Sequence, residues 1–124
     1  MLDHIGFAVK DFEASRRFYV EALAPLGVGV AMEFPGHVGL GRDGKPQLWL
    51  AQGEPAAPLH LAFVARNRAE VEAFYAAALK AGGKDNGPPG LRPQYHPNYY
   101  GAFAIDPDGH NIEAVCHSPE SGSQ

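Results

Sequence analysis

The chain has 124 residues, 45% of them hydrophobic and 19% charged, with a formal net charge of −4. Such a length and composition give one globular domain with its own core and exclude a disordered chain. The acidic balance and the scattered Lys and Arg exclude a nucleic-acid footprint, and the single cysteine, Cys116, excludes an internal disulfide and fits a reducing compartment.

Asp3-His4-Ile5-Gly6 opens the chain without the marks of a secretory leader, and no apolar run approaches the roughly 18 residues of a membrane span. A cytoplasmic protein with neither membrane nor nucleic-acid partners is expected. Residues 3–9 read as a buried strand. Asp11 can cap the helix that follows, and Phe12, Phe18, Tyr19, Ala22, Leu23 and Leu26 fall on one of its faces before Pro25 and Gly27 end it. Three short strands follow at 28–33, 38–41 and 47–51, parted by the turn dipeptides Pro35-Gly36 and Asp43-Gly44.

After a Pro/Ala-rich linker the pattern restarts. His60-Leu61-Ala62-Phe63 echoes His4-Ile5-Gly6-Phe7. In the same register Phe74-Tyr75 echo Phe18-Tyr19, Ala78-Leu79 echo Ala22-Leu23, and Gly83 echoes Gly27. These identities point to an internal duplication. Asn67 and Glu70 form a capping box, Val71, Phe74, Tyr75, Ala78 and Leu79 make an apolar stripe, and Gly82-Gly83 ends the helix. A Pro/Gly/aromatic segment spans 85–99. Strands at 100–105 and 111–116 join through Asp106-Pro107-Asp108-Gly109, and 118–124 reads as a frayed tail. The expected fold is α+β: two βαβββ modules, 1–52 and 58–117, in one domain spanning 1–124. Their sheets would meet edge to edge, helices outside, as a curved open barrel with a metal-binding groove.

Glu113 sits inside an apolar strand, where a lone carboxylate is costly to bury. It needs a partner: a cation, a basic side chain such as Arg92 or Arg42, or a metal. His4 and His60 head equivalent strands. Two imidazoles and a carboxylate facing one cavity would suit a divalent transition ion with open positions for substrate. The segment from Pro88 to Tyr100 reads as a lid or wall of the groove. Arg92 can bind a carboxylate or phosphate, with Tyr95 and Tyr100 beside it as substrate contacts. Tyr99 and His96, together with Glu113, are candidates to move a proton.

The paired βαβββ units, Asp3-His4-Ile5, Leu59-His60-Leu61, and Asp106-Pro107-Asp108-Gly109 running into Asn111-Ile112-Glu113 resemble the vicinal oxygen chelate superfamily. That superfamily includes glyoxalase I, fosfomycin-resistance thiol transferases, bleomycin-binding proteins and extradiol dioxygenases, and the nearest likeness is to its glyoxalase-like branch. The resemblance implies metal ligands at His4, His60 and Glu113 for Zn, Ni, Mn or Fe, a small substrate chelating through adjacent oxygens, and a homodimer. It implies lyase, isomerase or dioxygenase chemistry, or alternatively a metal-free sequestering protein of the bleomycin-resistance type. Four-ligand glyoxalases place a further ligand on the fourth strand of the first unit. Aligning the units on Asp43-Gly44 and Asp108-Gly109 sets Leu48 opposite Glu113, so a three-ligand site is expected. Trp49 and the helix aromatics read as core, Cys116 as a small buried hydrophobe, His110 as solvated, and His37 and His117 as without a role.

Overall fold

A computed structural model describes residues 2–119. The part of the expected frayed tail from 120 to 124 lies outside the described residues. The elements run β1 (Ile5–Val9), α1 (Phe12–Leu23) with a 3-10 turn (Ala24–Leu26), β2 (Gly29–Phe34), β3 (His37–Gly41), β4 (Leu48–Gln52), β5 (His60–Val64), α2 (Arg68–Lys80), β6 (Lys84–Leu91), β7 (Tyr100–Ile105) and β8 (Asn111–Cys116). They form two four-stranded sheets with the same order, β1-β4-β3-β2 and β5-β8-β7-β6. In each, the first strand runs parallel to the fourth and the other neighbours are antiparallel. The fold is therefore α+β, built from two similar βαβββ modules whose sheets do not close on each other. Among the described residues, no helix is long and apolar enough to cross a membrane.

Local chemistry sets the helix ends. Asp11 accepts from the Ala14 N–H at 3.1 Å, and Asn67 accepts from the Glu70 N–H at 2.9 Å; each satisfies a donor that the first turn leaves open. The Glu70 carboxylate binds the Arg66 N–H at 2.8 Å, one residue before the cap itself. Gly27, in the left-handed region at φ 81°, closes the 3-10 turn.

Strand alternation divides each sheet into two faces. Val38, Leu40, Leu48, Leu50 and Val9 of the first sheet, and Ala102, Ala104, Ile112 and Ala114 of the second, enter one continuous core with Phe18, Tyr19, Leu23, Val71 and Phe74 of the helices. The helices lie on that face and touch each other. Among the described residues, no helix covers the opposite face of either sheet.

Polar contacts at both ends join the modules. At one end the Tyr19 hydroxyl donates to Asp106 at 2.5 Å, the Lys10 N–H donates to Asp108 at 3.2 Å, and Phe7 packs edge-on against His110 at 5.0 Å. At the other end Arg42 donates to the carbonyls of Leu26 and Val64, each at 2.9 Å. The end of β1 thus meets the β7–β8 turn beside the start of β5, and the β3–β4 turn meets the end of β5.

Two expectations change here. His110 is only 2% exposed; its Nδ1 accepts from the Leu59 N–H at 2.8 Å, so it is a structural acceptor under the start of β5. Residues 84–91 are a strand despite Pro88 and Pro89. β6 is an edge strand with register breaks on both sides of Gly87, and such positions tolerate missing N–H donors.

Candidate functional site

The open face of the second sheet carries His60 and Ala62 of β5, Glu113 of β8 and Phe103 of β7, because Ala62 and Phe103 flank Glu113 in register. Glu113 is 1% exposed. Its Oε1 lies 2.7 Å from His60 Nε2, and its Oε2 accepts from the Tyr99 hydroxyl. Neither Arg92 nor Arg42 pairs with it. Gly101 provides the room: a Cβ there would stand 3.1 Å from the Tyr99 ring and 3.5 Å from Glu113 Oε2. Burial, followed by the hydrogen bond to Glu113 and that carboxylate's charge, pushes the Tyr99 phenol above its ordinary value.

Residues 92–99 fold over this face. Arg92 donates to the Pro88 carbonyl at 2.7 Å and lies over the Phe103 ring at 5.4 Å, and Phe103 in turn lies 6.3 Å from His60. Tyr95 packs edge-on against Tyr99 at 5.1 Å. His96 is at the rim with its Nδ1 accepting from the Asn98 N–H, and its ring meets His117 at 5.4 Å. His117 also packs on Tyr99 at 5.1 Å, a contact that no feature of the sequence announces. Tyr100 takes a different place from its neighbours. Strand alternation turns it to the helix side, where its hydroxyl donates to Glu72 at 2.7 Å and Arg68 lies over its ring.

His4 does not join this group within the chain. Its Nδ1 lies 2.8 Å from Asp3, which also pairs with Lys45. The sequence leaves open whether His4 meets His60 of its own chain or of another, and within one chain the two stay apart for a geometric reason. The Ile5 N–H binds the Gln47 carbonyl, so His4 sits by the β3–β4 turn, the end of the junction where Val64 is held. His60 pairs with Asn111 at the other end. A strand of this length puts the two roughly 13 Å apart along the junction. Among the described residues, no three His, Cys, Asp or Glu side chains are grouped to hold a metal. His60 and Glu113 nevertheless suit two ligand positions of a divalent ion, one imidazole nitrogen and one carboxylate oxygen converging on an open face.

The counterpart of Glu113 also changes. Glu113 pairs with Ala62, and Gly6, the equivalent of Ala62, pairs with Trp49. The β3–β4 turn carries extra residues before its strand begins, so aligning the turns misplaces the comparison by one residue. Trp49 therefore occupies the ligand-equivalent place, while Leu48 is buried on the core face. Trp49 is not core; it lies on the open face of the first sheet and stacks with Phe34 at 6.2 Å and 14° between planes. The flanking glycines Gly6 and Gly39 were the signal in the sequence that could have revealed this.

A family description, the Glyoxalase/Bleomycin resistance protein/Dioxygenase superfamily, matches residues 1–114. No curated protein gives a significant match. Among solved structures, a glyoxalase/bleomycin resistance protein from Albidiferax ferrireducens T118 is 28% identical, with a TM-score of 0.79, covering 93% of this chain and 97% of its own. A glyoxalase-related enzyme from Fulvimarina pelagi is 23% identical, with a TM-score of 0.72 and coverage of 94% and 87%. A glyoxalase/bleomycin resistance protein/dioxygenase family enzyme from Burkholderia phytofirmans PsJN is 17% identical, with a TM-score of 0.73 and coverage of 94% and 98%. The last two are likenesses of fold.

Proposed function

The chain belongs to the Glyoxalase/Bleomycin resistance protein/Dioxygenase superfamily, and from that premise we propose a divalent-metal-dependent enzyme acting on a small substrate through two adjacent oxygens. The observation that carries this reading is the buried Glu113 carboxylate, held between His60 and Tyr99 on an open sheet face. A buried carboxylate with an exposed imidazole at its edge is a poor way to stabilise a fold and a good way to present ligands.

His60 and Glu113 would hold the ion, and His4 of a second copy would supply the third donor in a homodimer, because His4 and His60 of one chain stand at opposite ends of the junction. When bound, the ion would act as a Lewis acid toward the substrate's adjacent oxygens. The remaining groups have their own tasks. Tyr99, held neutral, keeps Glu113 oriented and can offer its hydroxyl as a hydrogen-bond donor to a substrate oxygen. Arg92 offers its guanidinium to an anionic substituent at the rim, with Tyr95 beside it. His96 stands where a proton can pass from the site to water.

The test is elemental analysis of purified protein, alone and after chelation and reloading, for wild type, His4→Ala and Glu113→Ala. Near-stoichiometric metal in wild type and its loss in both variants is the expected result. Mixing the two variants after dissociation should restore about one site per four chains, because about half of the dimers are then mixed and each mixed dimer regains one of its two sites. A wild type that takes up no metal would sink the reading in favour of a metal-free sequestering protein, and His4→Ala would then keep its ligand.

A further inference from the structure

The first module's open face has lost the carboxylate position and gained a shaped apolar surface. Trp49 lies against the bare backbone of β3: a Cβ on Gly39 would stand 3.0 Å from indole atoms and 2.8 Å from Pro46. On the other side, a Cβ on Gly6 would stand 3.2 Å from the Trp49 Cβ. Both strands beside Trp49 are therefore without side chains where it passes, and the indole spreads flat along the sheet toward Phe34. The two rings are nearly parallel, 14° apart, and Phe34 is 56% exposed with Met32 beside it at 44%. A core tryptophan would be covered, and a tryptophan that merely filled space would not need glycine on both sides.

We infer that this face is a seat for a planar aromatic group. The flat indole, the exposed near-parallel Phe34 and the polarizable thioether of Met32 offer a π surface. No charged side chain shares the Trp49 row, whose register partners are Gly6 and Gly39. Trp49 is one strand across from Gly6, on the same face as His4. The inference deepens the proposed function and rests on it only for the far end of the substrate. The ring would stack on Trp49, and the adjacent oxygens would reach the ligands that meet His4. The substrate class is then one that ends in a planar aromatic ring.

Trp49 is the only tryptophan, so its emission reports on the seat directly. Metal-stripped protein is titrated with 2-naphthoate and with its saturated analogue, decahydro-2-naphthoate, which has the same charge and a similar apolar bulk. Binding is read by Trp49 emission and by calorimetry. The expected result is quenching by naphthoate and affinity roughly tenfold above that of the saturated acid, the size of a good stacking contact. Phe34→Ala, an exposed position with no core to collapse, should weaken naphthoate roughly tenfold, and Gly39→Val should weaken it too by displacing the indole. Equal affinity for the two acids, unchanged affinity in Phe34→Ala, or an indole that acrylamide cannot reach in the free protein would each overturn the inference; the last would mean that a second copy covers the face. Because the titration uses metal-stripped protein, failure of the metal reading and failure of the seat give different results.

Discussion

The two modules share one plan and differ on one side of it. On the helix side Phe18 matches Phe74, Ala22 matches Ala78, and all four are fully buried. On the open side almost nothing matches. A two-residue turn at 35–36 leaves the first face bare, whereas residues 92–99 roof the second. Trp49 stands where Glu113 stands. Duplication supplied two copies of a packing solution, and the open-side positions have diverged into a half with a buried, histidine-paired carboxylate and a half with a glycine-flanked indole.

The sharpest way to break that contrast is to remove its two centres. Glu113→Gln should abolish stable metal binding, while Trp49→Phe should leave metal content unchanged by elemental analysis. The shared side should respond alike. Phe18→Ala and Phe74→Ala should each cost about 3–5 kcal/mol in urea unfolding, and a gap between them wider than about 2 kcal/mol would show that one copy packs less well.

The matched tyrosines should differ. Tyr19→Phe strips a buried carboxylate of a donor and should cost about 1–3 kcal/mol, whereas Tyr75→Phe, whose bond to Asp85 is exposed, should leave the midpoint unchanged. Tyr19 carries a pH signature as well. Burial first, and the Asp106 charge second, push its phenol far up. The unfolded chain loses this proton near pH 10 and the folded chain keeps it, so stability present below about pH 10 is lost as pH rises beyond it. Thermal melts above pH 10 should fall less steeply in Tyr19→Phe. Asp11→Ala and Asn67→Ala should each cost about 1 kcal/mol, since both caps make the same bond.

Much of this was legible in the residues. The repeated His, Phe-Tyr, Ala-Leu and Gly registers carry the duplication, because core positions tolerate little change in size. The caps and turns were legible because they depend on near neighbours. What escaped depends on contacts between distant segments. His110 reads as solvated after a turn glycine, and only the distant Leu59 N–H explains its burial. Pro88 and Pro89 argue against a strand, and only the edge position and its bulges admit one. The identity of the Glu113 counterpart hinged on loop length: the turn before β4 is longer than the turn before β8, so pairing between strands, not turn residues, decides which side chains correspond. The separation of His4 and His60 follows from two equivalent strands meeting head to tail, a relation that no local pattern encodes.

Along β4 and β8, residues that enter the core alternate with residues that face the other side of the sheet: Leu48, Trp49, Leu50; Ile112, Glu113, Ala114. A single substitution therefore lands on one side or the other and seldom on both. Descendants of such a chain can try new chemistry at every second position while inheriting an intact scaffold. A one-residue insertion in either strand, by contrast, would exchange the two sets at once, so its history should be rich in replacements and poor in small insertions within these strands.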